Sequence, residues 1–68
     1  MKKVNLNKIE KVKRFVHIAA NKVDDVVLKH DNYVVNGKSI LGVFSLDLSK
    51  PVELITKDCT DFEEFLVK

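Results

Sequence analysis

A short apolar stretch between a turn signal and a proline limits the fold of this chain more than any other part of the sequence. Asn36-Gly37 is a typical turn dipeptide, and Pro51 closes the stretch because proline disfavours helix at the residue before it. Ser39, directly before the apolar run, is a residue type that caps helices. We therefore predict a short helix over residues 40–46. Its apolar residues are too many for one face of two turns, so some should be exposed and contact a partner.

Apolar periodicity predicts a longer first helix over residues 8–21. The residues at helical spacing define one face that should be buried: Ile9, Val12, Phe15, Val16, Ala19, Ala20 and Val23. Asn7 and Glu10 match a capping box at the start of this helix. Thr60 and Glu63 match the same pattern before a final helix of about two turns.

Four strands are predicted around these helices, over residues 1–6, 23–29, 33–35 and 52–56. Asp31-Asn32 separates the second from the third and predicts a hairpin turn, because both residue types tolerate positive φ. The order is βαββαβα, which indicates an α+β fold with helices covering one face of an antiparallel sheet. Sixty-eight residues are too few to divide, so we expect a single domain over residues 1–68. One cysteine cannot form an internal disulfide, so stability must come from the apolar core.

Charge is distributed unevenly along the chain. Residues 1–22 carry seven basic side chains against Glu10 alone, or 7 − 1 = +6, and the remainder carries five against nine acidic ones, or 5 − 9 = −4. A basic first helix suits an acidic protein, a phosphorylated group or nucleic acid, although a solvated lysine face is the favoured interpretation. No metal-ligand spacing, signal peptide or membrane-length apolar run occurs. We therefore expect a cytoplasmic protein without metal, cofactor or membrane contact.

The apolar stretch also resembles a known family. Residues 38–46, KSILGVFSL, are similar to the second-helix motif of HPr, the histidine-containing phosphocarrier of the bacterial sugar phosphotransferase system. The order of elements fits that family over nearly the whole chain. The resemblance implies an open-faced β-sandwich, in which a four-stranded antiparallel sheet carries three helices on one face, and a single HPr-like domain over residues 1–68.

The catalytic signature of that family is missing from this sequence. In HPr the phosphoacceptor histidine opens the first helix and is followed by Ala-Arg-Pro. Counting back from the motif without gaps, the histidine position falls on Lys8, the arginine position on Glu10 and the proline position on Lys11. A lysine is protonated at neutral pH and is a poor phosphoryl acceptor, and Glu10 would repel a phosphoryl group that arginine attracts. We therefore predict no catalytic residue and no enzyme.

The resemblance does assign roles within the second helix. Ser39 matches the serine that a dedicated HPr kinase phosphorylates in many Gram-positive relatives, although a plain N-cap serine is the alternative. Ile40, Leu41 and Phe44 match the apolar residues that HPr presents to its partners, with a fully buried helix as the competing interpretation. Val43 and Leu46 are the better core candidates in that stretch.

These observations leave three hypotheses on function. The first is a monomeric, non-catalytic or regulatory interaction module whose partners include phosphotransferase-system components or HPr kinase. The second is a divergent phosphocarrier that uses another acceptor, for which His17 is the best candidate. The third is a small nucleic-acid binder that uses the lysines of the first helix, although it lacks the interleaved aromatic residues of single-strand binders. His17 and His30 are otherwise interpreted as exposed surface residues.

Overall fold

The computed structural model describes residues 2–67, which form a four-stranded antiparallel sheet covered by helices on one face. This arrangement confirms the predicted α+β class and the order of elements. The strands lie in the order β1-β4-β2-β3 across the sheet. In chain order the elements are β1 (Lys2–Val4), α1 (Ile9–Ala20), β2 (Val27–His30), β3 (Tyr33–Asn36), α2 (Ile40–Phe44), β4 (Val52–Ile55) and a 3₁₀ helix (Thr60–Phe65).

The core lies between the sheet and the helices and is centred on Phe15. The ring of Phe15 contacts Phe62 at 4.7 Å between centroids and Phe65, edge to face, at 5.6 Å. Such aromatic pairs contribute beyond the area they bury. One cluster of buried residues draws on every element except β3, from which only the partly buried Val35 packs against it: Val4, Leu6, Val12, Phe15, Ala19, Val26, Leu28, Val43, Leu46, Val52, Leu54, Phe62 and Phe65.

The two edges of the sheet differ. Beyond β1, the backbone that follows the 3₁₀ helix covers the edge, because Asn5 N–H donates to the Phe65 carbonyl at 2.8 Å and Val67 N–H donates to the Lys3 carbonyl at 2.9 Å. β3 forms the opposite edge and is exposed over most of its length. Among residues 2–67, no helix lies on the second face of the sheet, as in an open-faced sandwich.

The predicted capping box of α1 is wrong. Lys8 is the N-cap residue, with extended backbone (φ −134°, ψ 145°), and no side chain caps the helix. A capping box requires an acidic residue three positions after the cap. From Lys8 that position is Lys11, so Glu10 is one residue out of register and Asn7 lies outside the cap.

The apolar face predicted for α1 is also too long at both ends. Val12, Phe15 and Ala19 are buried, but Ile9 is 60% exposed and Val23 is 99% exposed. The reason at the C-terminal end is that α1 stops at Ala20, so the helical phase no longer applies to Val23. Ala20 itself lies on the exposed side.

β2 begins at Val27, four residues later than predicted. Val26 and Leu28 are both buried, as expected of residues on the same face. The predicted hairpin is present: β2 pairs with β3 in antiparallel register from His30↔Tyr33 to Val27↔Asn36. Asp31 occupies the left-handed region with φ 54°, which a short polar side chain tolerates. β1 and β4 are shorter than predicted, and Met1 lies outside the described residues.

The last helix differs from the prediction in type and in cap. Thr60 is its first residue rather than its cap, and Cys59 occupies the cap position without a side-chain bond. The hydroxyl and the backbone N–H of Thr60 instead donate to Asp58 Oδ1 at 2.5 and 2.9 Å. Asp58, which precedes the helix, therefore accepts the hydrogen bonds that Thr60 donates from the first turn. The predicted capping box with Glu63 does not form.

Candidate protein-interaction site

Ser39 caps α2 as the sequence predicts. Its backbone is extended (φ −104°, ψ 113°), and its Oγ accepts a hydrogen bond from Gly42 N–H at 3.2 Å. The turn before it is fixed by Asn36, whose Oδ1 accepts from Lys38 N–H and whose carbonyl accepts from Ser39 N–H. Ser39 is exposed, so its hydroxyl is accessible to an enzyme as well as positioned for capping.

The apolar side chains of α2 divide between the core and the surface. Val43 is fully buried and Leu46, just after the helix, is 7% exposed, as expected. Leu41 is 81% exposed, and Phe44 and Ile40 are 42% and 37% exposed. The interpretation of α2 as a fully buried helix is therefore wrong. The helix is also shorter than predicted, because it ends at Phe44 with Ser45 as its C-cap.

A shallow depression joins the end of α2 to the start of α1. Phe44 lies on one side of it, and Lys8 and Ile9 lie on the other. The fold thus brings Lys8, which the sequence comparison predicted at the family's phosphoacceptor position, next to an exposed aromatic ring of α2. The depression holds about 300 Å³ and is lined by Leu6, Asn7, Lys8, Ile9, Val12, Phe44, Leu48 and Ser49. Ser39, Ile40 and Leu41 are not among its lining residues.

Ile9 lines this depression, although the helical periodicity of the sequence wrongly assigned it to the core. It occupies the first turn of α1, where the helix begins next to Phe44 rather than over the centre of the sheet. Its place at the start of the apolar run, next to the position that matches the phosphoacceptor, is the only sequence signal that points to the surface. Leu48 is partly buried against the core and lines the same depression.

The side chains that line this depression are apolar apart from Asn7, Lys8 and Ser49. A carrier needs a nucleophilic nitrogen with a pKa near neutrality and a cation to stabilise the phosphoryl group. The structure places Lys8 at the cap of α1 and leaves Glu10 exposed in the first turn. The apolar side chains can bury area against a partner, and Lys8 adds a positive charge at the margin.

The loop after α2 is held by a local hydrogen-bonded carboxylate. Asp47 Oδ1 accepts from Ser49 Oγ at 2.6 Å and from Ser49 N–H at 3.1 Å. These bonds favour the ionised form and lower the pKa of Asp47, with the Ser49 hydroxyl as the main cause. The loop that carries Leu48 to the depression is therefore ordered by Asp47.

The basic side chains of α1 and of the turn after it are partly neutralised by the C-terminal 3₁₀ helix. Arg14 pairs with Glu64 at 2.9 Å, and Lys22 pairs with Asp61 at 3.0 Å. The hydrogen bond from Lys22 to Asp61 is the main reason that the pKa of Lys22 is raised. Intramolecular pairing explains part of the charge asymmetry without nucleic acid.

The two histidines occupy different environments. His17 is exposed on α1, as predicted, and shares a depression with Lys13, Arg14 and Ile18. His30 was expected to be exposed, but its side chain is only 19% exposed, because it lies on the covered side of β2 at the end of the strand. Its Nε2 lies 3.6 Å from Asp31 Oδ2.

Within residues 2–67, no group of three or more His, Cys, Asp or Glu side chains is arranged to hold a metal ion. Over the same residues, no helix combines the length and apolar character that crossing a membrane requires.

Comparison with known proteins identifies the family. No protein-family model matches the sequence, and the curated proteins contain no match. Among solved structures, the crystal structure of Crh, described as the Bacillus subtilis catabolite repression containing protein, superposes with a TM-score of 0.63. The two sequences are 34% identical, and the match covers 91% of this chain and 71% of Crh. This chain belongs to the HPr-like family. The resemblance inferred from residues 38–46 is thereby confirmed.

Membership in the HPr-like family confirms the open-faced arrangement of four strands and three helices. The family comprises phosphocarrier and regulatory proteins rather than classical enzymes. The Crh crystal structure is described as an intertwined dimer with a swapped domain.

Proposed function

We propose that this HPr-like chain, as a single domain over residues 1–68, is a regulatory protein-interaction module that does not carry phosphate on histidine. The observation that carries the proposal is the apolar surface of α2, on which Ile40, Leu41 and Phe44 are exposed. Phe44 shares a depression with Lys8, the position to which the resemblance assigns the family's phosphoacceptor. A regulatory role in catabolite repression is consistent with the description of Crh.

Apolar exposure on α2 supports a binding role. The chain is short and its core is small, so complete burial of Ile40, Leu41 and Phe44 would have added stability. Leu41 is instead almost fully exposed, and Phe44 keeps 42% of its surface in solvent. Large apolar residues grouped on one short helix are typical of a partner-binding surface. Aromatic residues such as Phe44 frequently contribute most to such contacts.

Phosphorylation of Ser39 would regulate the same surface. Its hydroxyl is exposed and directly precedes the apolar side chains of α2. A phosphate there adds nearly two negative charges and three acceptor oxygens at the positive end of the helix. It would change the charge beside the contact surface, and Gly42 N–H is placed to bond a phosphate oxygen.

Incubation with HPr kinase and ATP tests both parts of the proposal. We expect one phosphate per chain by mass spectrometry, and none in Ser39→Ala. Ser45→Ala, which removes the other serine of this helix, is the matched control and should be phosphorylated normally. Phe44→Asp should lower the rate of phosphorylation by at least about tenfold, because it places a charge at the centre of the contact. Tyr33→Asp, on β3, should leave the rate unchanged.

Incubation with phosphoenolpyruvate and enzyme I tests the loss of phosphoryl transfer. We expect no acid-labile, base-stable phosphate on the protein. Detection of such a phosphate would contradict the proposal. If HPr kinase failed to modify the wild-type chain, Ser39 would not be a phosphorylation site and would act only as the N-cap of α2.

His17 supports a second candidate function, that of a divergent phosphocarrier. It is exposed and shares a depression with Lys13 and Arg14, two cations that could stabilise a phosphoryl group. Against this function, the Arg14 guanidinium is already paired with Glu64. The same enzyme I assay decides, because a phosphate lost in His17→Ala would identify the acceptor.

A further inference from the structure

The uncovered face of the sheet carries a repeated charge pattern around an apolar centre. Side chains alternate between the two faces of a strand, so those of Val27 and Lys29 on β2 point away from the helices, as do those of Glu53 and Ile55 on β4. The register places Val27 opposite Ile55 and Lys29 opposite Glu53. Ile55 is 42% exposed, and no element of residues 2–67 covers this face.

Charges of opposite sign flank this apolar centre at both ends. At one end, Asp24, Asp25 and Lys57 line a depression with Val23, Val27 and Ile55. At the other end, Glu53 lies between Lys3 and Lys29 across three strands. None of these charged side chains takes part in an ion pair among residues 2–67. Formal charge is therefore −1 at the first end and +1 at the second.

We propose that this open face binds a second copy of the chain, with the two sheets stacked face to face and β2 antiparallel to its copy. A two-fold axis that lies between the sheets, perpendicular to β2, places Val27 and Ile55 against their own copies. It also brings Asp25 opposite Lys29 of the second copy, and Lys57 opposite its Glu53. The pattern is thus complementary to itself, as an interface with two-fold symmetry requires.

The opposite charges of the two ends select this orientation. Stacking about an axis parallel to β2 would also pair unlike side chains, but it would bring the two ends of like net charge together. The antiparallel stack brings the net negative end of one copy over the net positive end of the other, so both pairwise and long-range electrostatics favour it.

The small size of the face sets the strength of the contact. Four strands about 4.8 Å apart, each of three or four residues, span roughly 250 Å². A stable interface buries about 800 Å² on each partner. The dimer is therefore weak and forms only at high protein concentration, and the monomer expected from the sequence predominates when the protein is dilute.

Sedimentation velocity and amide NMR spectra of the whole chain test this proposal between about 20 μM and about 2 mM, where weak complexes associate. We expect concentration-dependent dimerisation, with shifts at Val27 and Ile55, that weakens as salt shortens the Debye length. Asp25→Lys and Lys29→Asp should each weaken self-association by at least about tenfold, because each places like charges opposite one another. An equimolar mixture of the two variants should dimerise again, because every altered pair is then complementary.

Three controls make the result decisive. Lys13→Asp, on the opposite side of the molecule, changes the net charge as Lys29→Asp does and should leave dimerisation intact. Ile55→Asp should abolish it without using the flanking charges, and the amide spectrum of each variant reports whether the fold is kept. A chain that stays monomeric throughout, variants that still dimerise alone, or a mixture that fails to dimerise would overturn the proposal.

The measurement also separates this dimer from a swapped one. Exchange of a strand between copies requires partial unfolding, so a swapped dimer would persist for a long time after dilution. The stacked dimer exchanges rapidly and should dissociate as soon as the sample is diluted. A dimer that persists on dilution would overturn the stacked arrangement.

Discussion

Helices α1 and α2 are held in place by different means. α1 has twelve residues, no side-chain cap and three buried residues, and Phe15 anchors it in an aromatic cluster. α2 has five residues, a side-chain cap from Ser39 and one buried residue, Val43. Burial stabilises the first helix, and capping and local hydrogen bonds stabilise the second.

This difference explains where function can reside. A helix that is held by burial must direct its apolar residues inward, so α1 offers mainly polar and charged side chains to solvent. In α2, Ser39 supplies the cap and Val43 the buried residue, and Leu41 and Phe44 remain exposed, where the proposed partner would contact them. The uncapped start of α1 fits this difference, because Lys8 provides no side-chain cap and the helix is anchored by buried residues such as Phe15.

Phe15→Ala should have the largest effect on stability. The ring is fully buried between Phe62 and Phe65, and removing it leaves a cavity under α1 that costs about 3–5 kcal/mol. A domain of this size has a total stability of the same order, so we expect the variant to be largely unfolded. Urea denaturation followed by circular dichroism measures the change. Leu41→Ala, on α2, is the control and should change stability by less than about 0.5 kcal/mol; a similar loss in both variants would contradict the distinction between the helices.

The two glycines should respond in opposite directions to alanine. A Cβ at Gly37 would lie 2.8 Å from Val26 Cγ1 and 3.2 Å from Phe15 Cε1, so Gly37→Ala should cost about 1–3 kcal/mol through overpacking. A Cβ at Gly42 would lie 3.4 Å or more from its neighbours, which is ordinary contact. Gly42→Ala should therefore stabilise α2 by up to about 1 kcal/mol through helix propensity. Urea midpoints of the two variants that move in the same direction would contradict this assignment.

The sequence predicted the fold well because periodicity and turn chemistry act locally. Helical spacing around Phe15 located α1, and Asp31-Asn32 located the hairpin. The boundaries were less accurate, because periodicity does not show where a helix stops. Val23 keeps the helical phase in sequence, but the chain has already left α1 at Asn21.

The candidate site was only half visible in the sequence. Motif similarity indicated Ile40, Leu41 and Phe44, since α2 has more apolar residues than it can bury. It could not show that Ile9 lies beside Phe44, because these two residues are far apart in the chain and their proximity depends on how α1 is placed over the sheet. Gly37 illustrates the same limit, since its role as a packing residue depends on Val26 and Phe15.

The smallest effects should come from the two helix caps, and they should have opposite signs. Ser39→Ala removes the acceptor of Gly42 N–H and should cost about 1 kcal/mol. Lys8→Ser introduces a cap where none exists, at a position whose extended backbone already suits one, and should gain about 0.5–1 kcal/mol. Urea denaturation measures both, with Lys13→Ser in the middle of α1 as the control, which should not gain stability because serine is a weaker helix former than lysine. If Lys8→Ser produced no gain, the start of α1 would already be satisfied by another group, and the contrast between a buried helix and a capped one would no longer hold.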